Sequence, residues 1–179
     1  AVGMDKSKMK DVFRSAGIPI LDCITLSRHE FQSDDKTNLL RLENFCNYPL
    51  MVKPLRLGSS IGVKRCTNSE ELRYAIDVAF VLDINILVER ALETFTEVNC
   101  SVIGPPEEAS VCEQPLTQGD FLSFESKYKG GNKKTSPSGP KGGMASSKRI
   151  LPAPLSPSLS KSIQDLAIKA FRAIGASGV

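Results

Sequence analysis

A lysine and a glycine-serine loop stand together in the segment 48–66, YPLMVKPLRLGSSIGVKRC. Lys53 lies in the first of two apolar runs, and Gly58-Ser-Ser-Ile-Gly62 separates the two runs. This pattern predicts a β-hairpin whose tip exposes backbone N–H groups, which suit phosphate oxygens. The common phosphate loop differs, because its lysine follows the glycines and a helix comes next. A tight hairpin with a surface lysine is the alternative that the segment alone leaves open.

Two further features supply charged groups for an anionic ligand. The segment 85–89 predicts a buried strand that ends in Glu89-Arg90, and Lys127 opens a stretch of seven Lys and Arg residues, without Asp or Glu, that runs to Arg149. That stretch is rich in Gly, Ser and Pro and predicts a mobile loop, because it cannot bury enough apolar surface to order itself. Each feature also fits a solvated surface segment. Their order along the chain favours one common anion site.

Hydrophobic spacing predicts the elements that would position these residues. The predicted helices cover 4–16, 39–45, 69–81 with Asn68 as its N-cap, and a last helix that Ser158 or Ser160 caps and that runs to about Ile174. The predicted strands, besides the hairpin and 85–89, cover 18–21, 96–103, 109–112 and 121–124, and the polar run 28–38 is predicted to be a connection.

Composition excludes several classes of protein. The 179 residues are 41% hydrophobic and 24% charged with a net charge of +3, which suits a soluble globular chain and argues against a dedicated nucleic-acid binder. The five cysteines are odd in number and contain no CxxC pair, so we expect neither a disulfide framework nor a zinc site, and a reducing, cytoplasmic compartment. We also expect no membrane span and no signal peptide. His29, the only histidine, lies in a polar run typical of a surface.

Several motifs follow one another in a fixed order: MVKPLRLGSSIGVKRC, ILVERAL, TEVNCSVIG and FESKY, after a helix that begins at Met4-Asp5-Lys6 and leads to AGIPI. In this order they resemble the D-alanine–D-alanine ligases of the ATP-grasp fold, over nearly the whole chain. The resemblance implies an α+β fold of antiparallel sheets with packed helices. Residues 1–92 would be the central ATP-grasp subdomain, and residues 93–179 the first part of the C-terminal subdomain, with a mobile loop at 127–149.

The resemblance also implies which residues hold ATP. Lys6 and Lys53 would contact the phosphates, the loop around Ser60 and Gly62 would cover them, and Lys127 would reach them when the mobile loop closes. Charge-assisted contacts of this kind stabilise the phosphoryl group in transfer.

The nucleoside would be bound one strand further on. By the same resemblance, Glu89, Arg90 and Leu92 would lie at the adenine, and Glu97 would bind the ribose hydroxyls.

A catalytic set is implied as well. Ser59 and Tyr128 would form a hydrogen-bonded group that orders the first D-alanine, with Lys127 as the third member. The presence of Tyr128 favours an amine rather than a hydroxyl as the acceptor.

The implied function is an ATP-dependent ligase that joins two D-alanine molecules through an acyl phosphate, for peptidoglycan precursor synthesis. ATP and Mg²⁺ would be the cofactors, with the metal ligands beyond the end of this chain, so we expect an ATP-binding fragment that is inactive alone. The parent protein would be a cytoplasmic homodimer. Two alternatives remain open: another ATP-grasp carboxylate–amine ligase, and a non-enzymatic anion or nucleic-acid binding module, which would lack an aromatic stacking platform.

Overall fold

A computed structural model of the protein describes residues 2–116 and 148–178. The chain divides into two compact units, Ala1–Thr94 and Phe95–Val179. The predicted boundary after Leu92 falls close to this division. Phe121–Phe124, Lys127 and Tyr128 lie outside the described residues.

The first unit is a four-stranded sheet with helices. Its strands stand in the order β1-β4-β2-β3, and all three neighbouring pairs are antiparallel. The strands are β1 (Cys23–Ser27), β2 (Leu50–Pro54), β3 (Lys64–Cys66) and β4 (Asn85–Arg90). The helices are α1 (Lys6–Ser15), α2 (Arg28–Ser33), α3 (Asp35–Phe45) and α4 (Ser69–Leu82), and a short 3₁₀ turn covers Val2–Met4.

One face of this sheet carries the hydrophobic core. Side chains alternate along a strand, so Leu50 and Val52 of β2 point to the same side as Ile86 and Val88 of β4. All four are fully buried. The helices α2, α3 and α4 cover this side, and their buried side chains in the core are Phe31, Leu42, Leu72, Ala75, Ile76, Ala79 and Phe80. Each buried Leu, Ile or Phe contributes about 1.5–3 kcal/mol to the free energy of folding. The polar side chains of β2 and β4 lie on the opposite face of the sheet.

The predicted hairpin is confirmed as the antiparallel pair β2–β3. Two successive tight turns close it. Ile61 N donates to Gly58 O at 3.1 Å, with Ser59 and Ser60 between them at φ 53° and 60°, and Val63 N donates to Ser60 O at 3.2 Å across Gly62 at φ 70°. Two left-handed central residues are the requirement of a type I′ turn. Two serines, rather than glycines, therefore occupy the left-handed conformation, which costs an L-residue about 1–2 kcal/mol.

The described part of the second unit contains several short antiparallel pairings and a long helix. The strands are β5 (Val102–Ile103) with β6 (Glu108–Ala109), and β7 (Gln114–Pro115) with β8 (Arg149–Ile150). An isolated pairing joins Asn99 to Glu113. Helix α5 (Pro157–Ala173) packs against β5 and β6.

Several predictions of secondary structure are confirmed. Helix α4 begins after Asn68, whose side chain accepts a hydrogen bond from Glu71 N at 2.9 Å, and it ends one residue beyond the predicted 69–81. Helix α1 covers most of 4–16, although Asp5 caps it and Met4 belongs to the preceding turn. Strand β4 covers the predicted 85–89 and adds Arg90.

Two predictions in the first unit are wrong. Residues 18–21 form no strand, because β1 begins at Cys23, the first residue with a pairing partner in β4, Glu89. The run 28–38 is helical rather than a connection. Ser27 and Asp34 cap α2 and α3, and the ring of Phe31 lies 5.7 Å from the ring of Phe80, a tertiary contact that a polar sequence pattern does not reveal.

The second unit also differs from its prediction. The strands predicted at 96–103 and 109–112 shrink to pairs of residues, and Arg149, assigned to the loop 127–149, lies in β8. Ser156, not Ser158 or Ser160, caps α5 by accepting from Leu159 N at 3.2 Å. Proline at the next position suits the first turn of a helix, where its missing N–H is not needed.

Among residues 2–116 and 148–178, we find no helix with the length and apolar character that crossing a membrane requires.

The turn at Gly62 yields a stability prediction. A Cβ atom on Gly62 would clash with Leu82 Cδ1, would lie 2.9 Å from Pro54 Cγ, and would sit on a residue at φ 70°. We expect Gly62→Ala to lower the free energy of unfolding by about 1–3 kcal/mol, measured by urea denaturation. The control is Gly58→Ala, since a Cβ there meets nothing within 4 Å; it should change stability by less than about 0.5 kcal/mol. Equal effects of the two substitutions would contradict the assigned turn geometry.

Candidate functional site

The candidate site lies on the side of the first sheet opposite the core. Lys53 is next to the buried Val52 and Pro54 in β2, so strand alternation turns its side chain to this opposite side. Glu89 of β4 points the same way, because it pairs with Met51, two residues from Lys53. The sheet register thus brings together a lysine and a glutamate that are 36 residues apart.

Glu89 is a buried carboxylate between two ammonium groups. Its side chain is 6% exposed, Lys53 Nζ donates to its Oε1, and Lys10 Nζ of α1 lies 2.5 Å from its Oε2. Burial acts to raise the pKa of Glu89, but the charges and hydrogen bonds of Lys53 and Lys10 outweigh it, so the pKa lies below its usual range. The carboxylate is therefore held ionised, and Lys53 is fixed with its side chain 26% exposed.

Lys6 is anchored beside this cluster. Its Nζ donates to the carbonyl oxygens of Pro54 at 3.0 Å, Leu55 at 3.3 Å and Leu57 at 2.5 Å. Burial first, and then the positive charge of Lys53, lower the pKa of Lys6. The ammonium thus joins the first helix to the segment that leads from β2 into the turns.

The double turn begins directly after Leu57, whose carbonyl oxygen accepts from Lys6. Ser59 is exposed, Ser60 is half-buried, and both have positive φ. Successive tight turns direct consecutive N–H groups toward one side and make a concave site for anions. Strained residues of this kind concentrate at functional sites, so the two serines support a ligand-binding role for the loop.

Two further predicted residues, Arg90 and Leu92, lie at the end of β4. Arg90 is exposed, Leu92 is 44% exposed, and the intervening Ala91 is buried, with its N–H donating to Pro49 O at 2.9 Å. Glu97 is half-buried and belongs to the second unit.

Lys10 is the site residue that sequence reasoning missed. Lys6 and Lys10 are four residues apart in α1, a spacing that places both on one helical face, and Asp5 fixes the start of that helix. This i, i+4 spacing was visible in the sequence. The sequence did not reveal that the Glu89 carboxylate of β4 lies next to Lys10.

A surface cleft of about 600 Å³ lies elsewhere in the first unit. Its walls include Phe31, Asp35, Arg73 and Asp77 from the helices that cover the core. None of the residues predicted for the site lines it. The charged cluster around Glu89, rather than this cleft, has the chemistry of an anion site.

The arrangement suits a nucleotide. The three lysine ammonium groups match the charge of phosphates, and the carboxylate of Glu89 accepts hydrogen bonds, as an amino group of a base requires. Residues 2–116 and 148–178 contain no group of three or more His, Cys, Asp or Glu side chains placed to bind a divalent cation. We assign no metal ligand within these ranges.

Comparison with known proteins identifies the family. Residues 12–179 match the model of the family described as "D-ala D-ala ligase C-terminus". The chain belongs to this family. The resemblance drawn from the motif order is therefore confirmed.

Two curated relatives are D-alanine–D-alanine ligases. The chain is 33% identical to a D-alanine–D-alanine ligase of Bacillus pumilus and 36% identical to one of Synechococcus sp., over its whole length in both cases. It covers 46% and 48% of those two proteins. The chain thus spans about half the length of the curated relatives it matches.

Solved structures support the fold. The VanG D-Ala:D-Ser ligase of Enterococcus faecalis has a TM-score of 0.76 at 27% identity, with 99% of this chain and 46% of that chain covered. The D-alanine–D-alanine ligase of Coxiella burnetii has a TM-score of 0.69 at 26% identity, with 99% and 42% covered. The predicted α+β ATP-grasp fold, with antiparallel sheets and packed helices, is confirmed.

The ion cluster yields a prediction about pH. The pKa of Glu89 is lowered in the folded state, so its ionised form stabilises the protein above the unfolded pKa of about 4.3, and this contribution is lost as the pH falls through the folded value. We expect Glu89→Gln to cost about 3–5 kcal/mol near pH 7 and to remove part of the stability loss below about pH 4. Urea denaturation between pH 3 and 7 measures both effects.

The matched control is Glu93→Gln, at an exposed position after β4. It should leave the pH profile of stability unchanged. A profile for Glu89→Gln parallel to that of the parent protein would show that Glu89 is not the titrating group.

Proposed function

We propose that the protein is an ATP-dependent ligase that joins D-alanine to a second D-amino acid, D-alanine itself in the first instance, for peptidoglycan precursor synthesis. The observation that carries the proposal is the cluster of Lys53, Glu89 and Lys10, with Lys53 in the hairpin that the double turn at 58–63 closes. The family membership and the names of the relatives agree with it.

The proposed reaction has two steps. The carboxylate of the first D-alanine attacks the γ-phosphorus of ATP, which forms an acyl phosphate and releases ADP. The amine of the second amino acid then attacks the acyl carbon and loses a proton, the amide bond forms, and the acyl C–O bond breaks, so that inorganic phosphate leaves with an oxygen of the original carboxylate. The first step moves negative charge among phosphate oxygens, and the second places it on the acyl oxygen and then on the departing phosphate, so catalysis depends on positioning and on positive charge.

The described residues would bind and orient the nucleotide. Lys53, fixed by Glu89, would neutralise phosphate oxygens, and the N–H groups around Ser60 and Gly62 would cover them. Lys6, anchored on three carbonyl oxygens, would hold the loop and add its positive charge to the field.

The base and the ribose would lie beyond the end of β4. Glu89 Oε atoms would accept from the amino group of adenine, with Arg90 and Leu92 at its edge. Glu97 would accept from the ribose hydroxyls, as two carboxylate oxygens suit a pair of neighbouring hydroxyl donors.

The remaining roles concern residues outside the described ranges. Lys127 would add charge at the phosphates when its segment closes, and Tyr128 with Ser59 would orient the first D-alanine. Mg²⁺ would supply charge neutralisation at the phosphates. The homodimeric state and the cytoplasmic location of the protein stay predictions.

The acceptor amino acid differs among the relatives. The structural relative from Enterococcus faecalis is a D-Ala:D-Ser ligase, whereas the curated relatives are D-alanine–D-alanine ligases. The names of the curated relatives favour D-alanine, and D-serine is the competitor to test.

Lys53 gives the sharpest test of the nucleotide site. We expect Lys53→Met to weaken ATP binding about 10- to 100-fold, because a charge-assisted hydrogen bond contributes about 1.5–3 kcal/mol. Isothermal titration of the intact protein measures the affinity. The control is Lys64→Met: Lys64 pairs with Val52 and lies 5.1 Å from the ring of Tyr74, on the core side of the same hairpin. Equal affinities of the Lys53 and Lys64 variants would remove Lys53 from the phosphate site.

The reaction is tested by its products. We expect the intact protein to release phosphate from ATP only when D-alanine is present, and to form D-alanyl-D-alanine, detected by mass spectrometry. With D-alanine and D-serine supplied together, the dipeptide with two alanines should predominate. Phosphate release with another amino acid, without D-alanine, would contradict the proposed substrate while leaving the nucleotide site intact.

A further inference from the structure

Cys100 and Cys112 face each other across two neighbouring segments of the second unit. Asn99 and Glu113 exchange two main-chain hydrogen bonds, N to O, at 2.7 and 2.9 Å. They are therefore a hydrogen-bonded pair of an antiparallel ladder. One step along, Cys100 lies opposite Cys112 in the non-hydrogen-bonded position, where the Cα atoms are about 4.5 Å apart and the side chains are closest.

On the far side of the two cysteines the register shifts by one residue, from Asn99 opposite Glu113 to Val102 opposite Ala109, so a β-bulge follows the cysteine pair. Ser110 N donates to Ser101 O at 2.8 Å, and Ser101 N donates to Ser110 Oγ at 3.0 Å. The cysteine pair is thus held from both sides by main-chain bonds. Helix α5 adds a third support, since Gln164 Nε2 donates to Ser110 O at 2.9 Å.

The position fits the geometry of a disulfide. Bridged cysteines have Cα atoms about 4.4–6.8 Å apart, and a non-hydrogen-bonded pair lies within that range without movement of the main chain. Both thiols are unbridged in the structure. Cys100 Sγ donates to Ser110 O at 3.5 Å, and Cys112 Sγ donates to Ser160 O at 3.8 Å.

The two thiols differ in accessibility. Cys112 is 3% exposed, whereas Cys100 is half-buried. A small oxidant therefore reaches Cys100 first, and Cys112 is placed to attack Cys100 rather than the oxidant. This is the arrangement of an attacking and a resolving cysteine.

We propose that Cys100 and Cys112 are a redox site that forms an intramolecular disulfide with a small disulfide oxidant of the glutathione type. The Cys100 thiolate attacks one sulfur of the oxidant, which gives a mixed disulfide and one released thiol. The Cys112 thiolate then attacks the Cys100 sulfur and displaces the second thiol. Two protein thiols are oxidised, and the oxidant disulfide is reduced to two thiols that take the two protons.

The first step depends on pH. Burial raises the pKa of the Cys100 thiol, and the neighbouring Cys112 adds to the increase, whereas a hydrogen bond with the Ser110 side chain acts in the opposite direction without cancelling it. The thiolate that attacks is scarce at neutral pH, and its fraction grows about tenfold for each unit of pH below the pKa. Bridge formation should therefore be slow near pH 7 and faster near pH 8.5.

The test uses the intact protein and oxidised glutathione. The protein is incubated at pH 7 and at pH 8.5, remaining thiols are blocked with N-ethylmaleimide, and peptides are mapped by mass spectrometry without reduction. We expect one cross-linked product, lighter by two hydrogen atoms, that joins Cys100 to Cys112. It should form at least tenfold faster at the higher pH, and dithiothreitol should reverse it. Accumulation of glutathione on Cys100 while Cys112 stays a thiol would overturn the proposal.

Variants separate the two steps. Cys112→Ser should stop at the mixed disulfide on Cys100, and Cys46→Ser, at a half-buried cysteine of the first unit, should leave the Cys100–Cys112 bridge unchanged in rate within about twofold. If Cys112→Ser does not fold, the time course of the parent protein tests the order of the steps instead. The mixed disulfide on Cys100 must appear before the bridge, and a bridge that forms without it would contradict the proposal. Pairing of Cys100 with Cys23 or Cys46 in comparable yield would contradict the proposal.

Discussion

The first unit depends on one ionic interaction, the buried carboxylate of Glu89 held between Lys53 and Lys10. An isolated ionised carboxylate loses several kcal/mol of hydration when it is buried, so a strand that carries one needs cationic partners within contact distance. Those partners come from β2 and α1, and they fix both elements relative to β4. The same interaction holds Lys53 ready at the edge of the turns that we assign to the phosphates.

Strand alternation makes this cluster compatible with a hydrophobic core. In β2 and β4, every second side chain enters the core under α4, and the others face the charged side. A one-residue shift of β2 would bring Lys53 into the core and turn Val52 outward, and the same shift of β4 would do this to Glu89 and Val88. Burial of the apolar residues therefore sets the register, and the register sets the site.

Much of the first unit was predictable from the sequence. Helix α4 has an N-cap asparagine, acidic residues in its first turn and an apolar face, and these local signals agree with one another. The hairpin β2–β3 was visible for a similar reason. Helix α2 was missed because its fold depends on a single buried ring, Phe31, that contacts a helix about 50 residues later in the chain. In the second unit, strands of two residues are too short for a periodic pattern.

The sequence by itself determined the family, the presence of Lys53 beside a glycine-serine loop, and the order of the motifs that match an ATP-grasp ligase. Only the tertiary structure decided that Lys10 shares Glu89 with Lys53, that Ser59 and Ser60 take the left-handed conformations, and that Cys100 lies opposite Cys112. The physical reason is common to all three. Each depends on the pairing register of segments distant in sequence or on the closure of a turn, and many contacts together determine the register and the turn geometry. Helix caps and periodic patterns, in contrast, depend on neighbouring residues alone.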